Sequence, residues 1–320
     1  MATTPYIFCA ILILLFNLVP HTTQSKPHGN PFGFLKTLEG SKKGQNVDGI
    51  HHLKGYLTKF GYLENNRVSE NGVTTTMAIN NEDAQLFDES VEEAIKTYQH
   101  NYGLNVTGHL DAATVKQMML PRCGAADIIN GKNTMQKKDK TRGHNNRKSM
   151  YGTSLYANRG VYWPSTQYEL TYQVRSETLV RGAENMRYIV ANALRQWERY
   201  SPFSFQEVAE GYQSNLVFAF AQGDHGDGHP FDGPGGILGH SFYPTDGRSH
   251  YDAMENWSDN PGQYQMDLYS VVLHEIGHLL GLAHTQDQSA VMYPTIAPGT
   301  LKRELQEDDV EGIQALYGAT

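Results

Sequence analysis

Three histidines and one glutamate, by their spacing, carry the chemistry of this chain. In VVLHEIGHLLGLAHTQDQSAVMYP, residues 271–294, His274 and His278 are four apart, Glu275 adjoins the first, and His284 follows six after the second. On a helix over 271–280 the first two imidazoles share one face, with Glu275 beside them. Gly281 is a suitable stop, because glycine enters the left-handed conformation freely. A chain that turns there can bring His284 back to the pair. Three neutral imidazoles with a fourth position left to water describe a catalytic zinc site, whereas a structural site has all four filled by protein. Glu275 is the natural base for that water. The alternative is three histidines satisfied singly, and the third one in register makes zinc the stronger reading.

These residues need a scaffold, and the flanking sequence supplies one. LTYQV (170–174), FSFQEV (203–208) and NLVFAFAQGDH (215–225) read as strands. Between the first two, Met186, Ile189, Val190, Ala193, Leu194 and Trp197 recur at helical spacing, with Trp197 a packing residue. Glu304 to Tyr317 is a closing helix with Leu305, Val310, Ile313 and Leu316 directed inward. Met292, at a tight turn, is either a soft apolar floor beneath the imidazoles or an ordinary core methionine.

The glycine-rich passage 223–257 holds a second constellation. His225, Asp227, His240 and His250 can complete a tetrahedral site of structural type, and His229 is a competing candidate. Asp232, Asp252 and Glu255 are hard oxygen donors, which backbone carbonyls of Gly233, Gly235 and Ile237 can join around calcium. A long loop with no core of its own gains order from bound ions.

Cys123 in PRCGAAD (121–127) is the second of two cysteines. Arg122 and the following glycine suggest an exposed turn. Its thiolate would fill the open zinc position and suppress hydrolysis; a buried apolar cysteine is the plainer alternative. The basic stretch up to 148 reads as an exposed linker open to proteolysis.

Residues 1–25 contain YIFCAILILLFNLV, the length of a signal-peptide core and short of a membrane span. A short anchor is the competing reading. Cys9 lies in this segment, so its removal would leave Cys123 without an intrachain partner. No lipid anchor or transmembrane segment is expected. The formal net charge of -8 hides an asymmetry: residues 1–148 hold 17 Lys and Arg against 13 Asp and Glu, and the rest 9 against 21. Opposite signs favour contact between the two parts and exclude nucleic acid as a partner of the acidic one. Residues 26–46 read as a poorly ordered lead-in. Residues 47–120 read as three short helices: one with Ile50, Leu53, Leu57 and Phe60 on one side, one capped by Asp88 or Ser90, and one capped by Asp111 and ended by Pro121. Asn105 and Asn256 head glycosylation acceptor triplets.

With HEIGHLLGLAH, VMYP, PRCGAAD, and GDHGDGHPFDGPGGILGH followed by SHYD in this order, the chain resembles the matrixins, the matrix metalloproteinase family, and most of all their short plant members. The resemblance covers nearly the whole chain. It implies an α+β fold: a metzincin-type zincin catalytic domain (149–320) with a five-stranded, mostly parallel twisted sheet and three helices. A propeptide (26–148) with a small three-helix, peptidoglycan-binding-like domain would precede it. It implies catalytic zinc on His274, His278 and His284, Glu275 as general base, and Cys123 as fourth ligand in the latent form, with Arg122 and Asp127 fixing the switch loop. It further implies structural zinc on His225, Asp227, His240 and His250, and calcium at Asp232, Gly233, Gly235, Ile237, Asp252 and Glu255. One of Asp308 and Asp309 would meet the amino terminus formed on activation.

Departures are Ala125-Ala126, expected to loosen latency, and Asn215 with Arg248 where a second calcium would bind. Ile296 stands where an aromatic residue commonly lines the specificity pocket. A hemopexin-like domain is not expected.

The expected activity is hydrolysis of extended extracellular polypeptides, paired with the edge strand near residues 236–239, with an apolar side chain entering the pocket. Expected partners are the protein's own propeptide, an activating protease, and inhibitors of tissue-inhibitor or hydroxamate type; the expected state is a secreted monomer. A metal-stabilised, non-catalytic extracellular binding protein is the alternative outside enzymes, and a zinc amidase acting on cell-wall peptides the alternative within them.

Overall fold

The computed structural model describes residues 29–64, 67–70, 73–76, 84–135, 161–175 and 179–318. The signal segment, most of the basic linker and residues 149–160 lie outside them.

Apolar spacing and caps make the first helices. Helix α1 (Ile50–Lys59) buries Ile50, Leu53, Tyr56 and Leu57. In α2 (Glu89–Asn101) it is Asp88, not Ser90, that caps, accepting from Val91 N at 3.0 Å. In α3 (Ala112–Met118) Asp111 accepts from Thr114 N at 2.9 Å. Each such cap is worth about 1 kcal/mol. The reading of residues 26–46 as a poorly ordered lead-in needs correction: Pro31–Leu38 form a 3-10 helix that buries Phe32, Leu35 and Leu38. Those three apolar side chains join the core of the helical module, and their few positions are too short a run to show periodicity in a Gly- and Lys-rich context.

The second part is organised by a six-stranded sheet. In chain order its strands are β1 (Arg122–Cys123), β2 (Glu169–Val174), β3 (Ser204–Glu207), β4 (Leu216–Ala221), β5 (Ile237–Ser241) and β6 (Arg248–Asp252). They lie in the order β1-β5-β6-β4-β2-β3, and every pairing is parallel except β5 with β6. Five strands belong to the catalytic part, as expected. The sixth comes from PRCGAAD.

Helix α4 (Met186–Glu198) packs on α5 (Leu268–Leu279), and α6 (Glu307–Tyr317) closes the chain. Trp197 is fully buried, and its indole N–H donates to Leu273 O at 3.0 Å, which ties α4 to the helix that carries His274. Trp163 does the same with Leu279 O at 2.9 Å. Each large apolar side chain removed from water contributes about 1.5–3 kcal/mol, so α5, buried along nearly its whole length, is a rigid mount for its histidines. The helical module and the catalytic part share a core: Phe231, Ile237 and Tyr293 pack among the module's apolar residues.

Candidate metal centre and active site

Helix α5 starts at Asp267, whose carboxylate accepts from Ser270 N at 3.0 Å. It stops at Gly281, with φ of 97°. There Leu282 N bonds Gly277 O at 2.9 Å and Gly281 N bonds His278 O at 2.9 Å, the paired bonds of a Schellman ending. That turn returns the chain and brings His284 against His274 and His278.

The three imidazoles are oriented from behind. Nδ1 of His274 donates to Val291 O at 2.7 Å, and Nδ1 of His278 to Leu282 O at 2.7 Å. Nδ1 of His284 lies 2.7 Å from Oδ1 of Asp127. With the proton held at Nδ1, each Nε2 presents a lone pair. Nε2 of His278 is 3.1 Å from that of His274 and 3.2 Å from that of His284, and the Cys123 sulfur is 3.4 Å from the same atom. Acceptors facing acceptors repel unless a cation lies among them. Bond lengths of about 2.0–2.1 Å to nitrogen and about 2.3 Å to sulfur in a tetrahedron give similar ligand separations. Burial, then the neighbouring imidazoles, keep His274 well below the usual imidazole range, and His278 falls to about 3. Neutral rings are what a metal needs.

Glu275 is fully buried, and no well-formed hydrogen bond fixes its carboxylate, with only the Cys123 thiol and the Ser241 hydroxyl acting on it. Burial pushes its pKa up to about 7. Met292, 2% exposed, packs beside α5: a Cβ at Gly277 would fall 2.3 Å from its sulfur.

Cys123 was expected in an exposed turn, and there the structure differs. The residue is 5% exposed and sits in a strand bonded on both sides. Arg122 N and Gly124 N donate to Gly236 O and Gly239 O, while Cys123 N donates to Pro294 O. Main-chain pairing with β5 and with 294–296 draws the segment into the groove.

The second constellation also converges. Oδ2 of Asp227 lies 2.8 Å from Nε2 of His225, 2.8 Å from Nε2 of His240 and 2.7 Å from Nδ1 of His250. His229, the competing candidate, is exposed and stands outside this group.

The sequence of this chain matches the family described as matrixin over residues 162–318, and the family described as a peptidoglycan binding domain over residues 46–118. It is 40% identical to metalloendoproteinase 1 of Glycine max over 86% of this chain and 84% of that protein. It is 38% identical to metalloendoproteinase 2-MMP of Arabidopsis thaliana over 89% of this chain and 75% of that one. The chain belongs to the matrixins. It is a zinc metalloendopeptidase of that family. A further match, 38% identical, is interstitial collagenase of Sus scrofa, of which this matrixin covers 43%.

The remaining expected residues fall into place unevenly in this matrixin. Asp232, Asp252 and Glu255 accept main-chain N–H bonds from Ile237, Gly233 and Gly235, at 2.8, 3.2 and 2.8 Å. Burial, then mutual repulsion, push Glu255 up to about 8, a strain that a cation would relieve. They do not converge as tightly as the two histidine groups. Asn215 and Arg248, the departures from the family pattern, are engaged with Thr171 and Asp246. Asn105 and Asn256 are both exposed.

The partners of several named residues escaped the sequence reading. The Arg122 guanidinium lies 3.4 Å over the Phe60 ring, 2.8 Å from Asp127, and within bonding distance of the Tyr102 hydroxyl. Tyr62 also donates to Asp127, at 2.9 Å. Burial would raise the Asp127 carboxyl, yet Arg122 and His284 hold it well below the carboxylate range. Asp309 accepts from Val291 N, Met292 N and Gln306 N, which fixes the methionine turn. A small cleft beside α5 is lined by Cys123, His274, Glu275, Ile296 and Lys302, among others. Aromatic and charged residues so far apart in sequence leave no local signal.

Proposed function

We propose that this matrixin is made as a latent, secreted zymogen in which Cys123 closes the catalytic metal site. Once the propeptide is cut away, it hydrolyses internal bonds of extended polypeptides. The observation that carries this reading is the convergence of four donor atoms, from His274, His278, His284 and Cys123, beside the buried Glu275 carboxylate.

When bound, zinc supplies Lewis acidity, polarising a carbonyl and acidifying water. His274, His278 and His284 would hold it as neutral ligands. Glu275, with its pKa near 7, takes a proton from the attacking water and returns it to the leaving amine. The edge of β5, covered here by the switch segment, would pair with the substrate main chain. His225, Asp227, His240 and His250 would hold a structural zinc. Asp232, Asp252 and Glu255, with carbonyls of Gly233, Gly235 and Ile237, would hold calcium. Asp309 being committed to the methionine turn, Asp308 is the acid that would meet the new amino terminus. Among the described residues no helix is long and apolar enough to cross a membrane, and secretion rests on residues 1–25. Asn105 and Asn256 would carry glycans.

The test is limited proteolysis of the purified zymogen, followed by cleavage of a quenched peptide and measurement of zinc. Metal-bound material that cuts only after proteolysis supports the reading. Equal activity before and after, or no cleavage by zinc-loaded, trimmed protein, overturns it.

A further inference from the structure

Side chains along β5 alternate between its two faces. His240 turns to the Asp227 group, at 2.8 Å, and Phe242 follows it, with ring centres 5.9 Å apart. Gly239 turns the other way: a Cβ there would lie 3.4 Å from Oε1 of Glu275, and the Ser241 hydroxyl acts on the same carboxylate. Tyr243, next in that alternation, sets its ring edge-on to His278 with centres 5.6 Å apart. The backbone on either side is fixed, since Phe242 N donates to Arg248 O at 2.9 Å and Asp246 N to Tyr243 O at 3.1 Å.

The side chain is turned the opposite way from an ordinary surface tyrosine, which covers its ring and leaves its hydroxyl in water. Tyr243 is half-buried as a residue, yet its hydroxyl is shut off from solvent and has no hydrogen-bond partner among the described residues. Leaving such a group unsatisfied costs about 1–3 kcal/mol, so the fold holds it there against a penalty. Besides burial, the groups that act on this hydroxyl are Cys123, Glu275 and Asp127, and all of them keep it protonated. It is a hydrogen-bond donor on the side of the histidine cluster that Cys123 fills.

We infer that Tyr243 is a further catalytic residue: with the switch segment gone, its hydroxyl donates to the carbonyl oxygen of the bond being cut, most strongly as that oxygen becomes an oxyanion. This deepens the endopeptidase reading above, in which a substrate main chain replaces the switch segment along β5. The acceptor that the phenol lacks in the latent chain is then supplied by the substrate. A donor placed in advance and shielded from water stabilises developing charge without having to reorganise.

The experiment compares trimmed wild-type enzyme with Y243F, which loses one oxygen and keeps the ring against His278. Rates on a quenched peptide are taken per bound zinc, so incomplete folding of the variant does not enter. In Y243F kcat should fall at least about tenfold with KM nearly unchanged, the mark of a bond made in the transition state alone. A phosphinic peptide, whose tetrahedral oxyanion imitates that state, should lose affinity by the same factor as kcat/KM when its binding is measured by calorimetry. An unchanged kcat overturns the role of Tyr243, as does slower cleavage with undiminished phosphinate affinity or a loss of bound zinc, either of which would make the residue structural. Wild-type enzyme that is trimmed and zinc-loaded but cuts no peptide overturns the endopeptidase reading itself.

Discussion

In the proposed mechanism Glu275 is the residue on which hydrolysis turns. Glu275→Gln should leave zinc stoichiometry at wild-type level while kcat falls at least about 100-fold; a near-normal rate would remove Glu275 as the base. Gly277 is a second test at this scale. Alanine there gains about 1 kcal/mol of helix propensity but would put a methyl 2.3 Å from the Met292 sulfur and 3.1 Å from Trp197. Overpacking of that kind costs about 1–3 kcal/mol, so Gly277→Ala should lower the melting temperature and not raise it. The two histidine groups that converge in the structure were legible as sets because metal chemistry demands particular side chains at particular spacings.

Among the elements, the switch segment is the informative one. Its Cys123 and motif were readable, but its form was not: a strand sewn between β5 and residues 294–296 depends on partners over 100 residues away. The Arg122–Asp127 pair is wholly buried, with Phe60, Tyr62 and Tyr102 around it. Removing one partner of such a pair costs about 3–5 kcal/mol because the other charge is stranded. Arg122→Ala should therefore loosen the zymogen, seen as peptide cleavage before proteolysis and faster hydrogen exchange at 121–127. Full latency in that variant would show the segment to be held by main-chain bonds alone. Asp127 also reaches His284, so the same carboxylate braces the Arg122 segment and orients that imidazole. Helix α5 was legible from the histidine spacing and from Gly281, while its start at Leu268 behind the Asp267 cap, ahead of the expected 271, was not.

At the scale of the whole molecule, opposite charges were expected to join the two parts. Contact there runs through a shared apolar core (Phe231, Ile237 and Tyr293 among the module's side chains) and through β1, with Lys59 of the module attracted to Asp232 of the acidic part. Phe231 and Ile237 flank the acidic loop of Asp232, so order in that loop and docking of the module are linked. Calcium removal should lower the melting temperature, by the equivalent of about 2.7 kcal/mol if the ion had stood at 100 times its Kd; an unchanged transition would count against the loop as a calcium site. The two-part organisation was legible from composition, while the 3-10 helix at Pro31–Leu38 was hidden by its short length. The claim beneath all of this is that one ion is shared by both parts. X-ray absorption at the zinc edge of intact zymogen tests it most directly. The account predicts sulfur at about 2.3 Å with nitrogen at about 2.0–2.1 Å at one of the zinc ions, and loss of the sulfur after activation. A sulfur-free shell in the latent protein would contradict it.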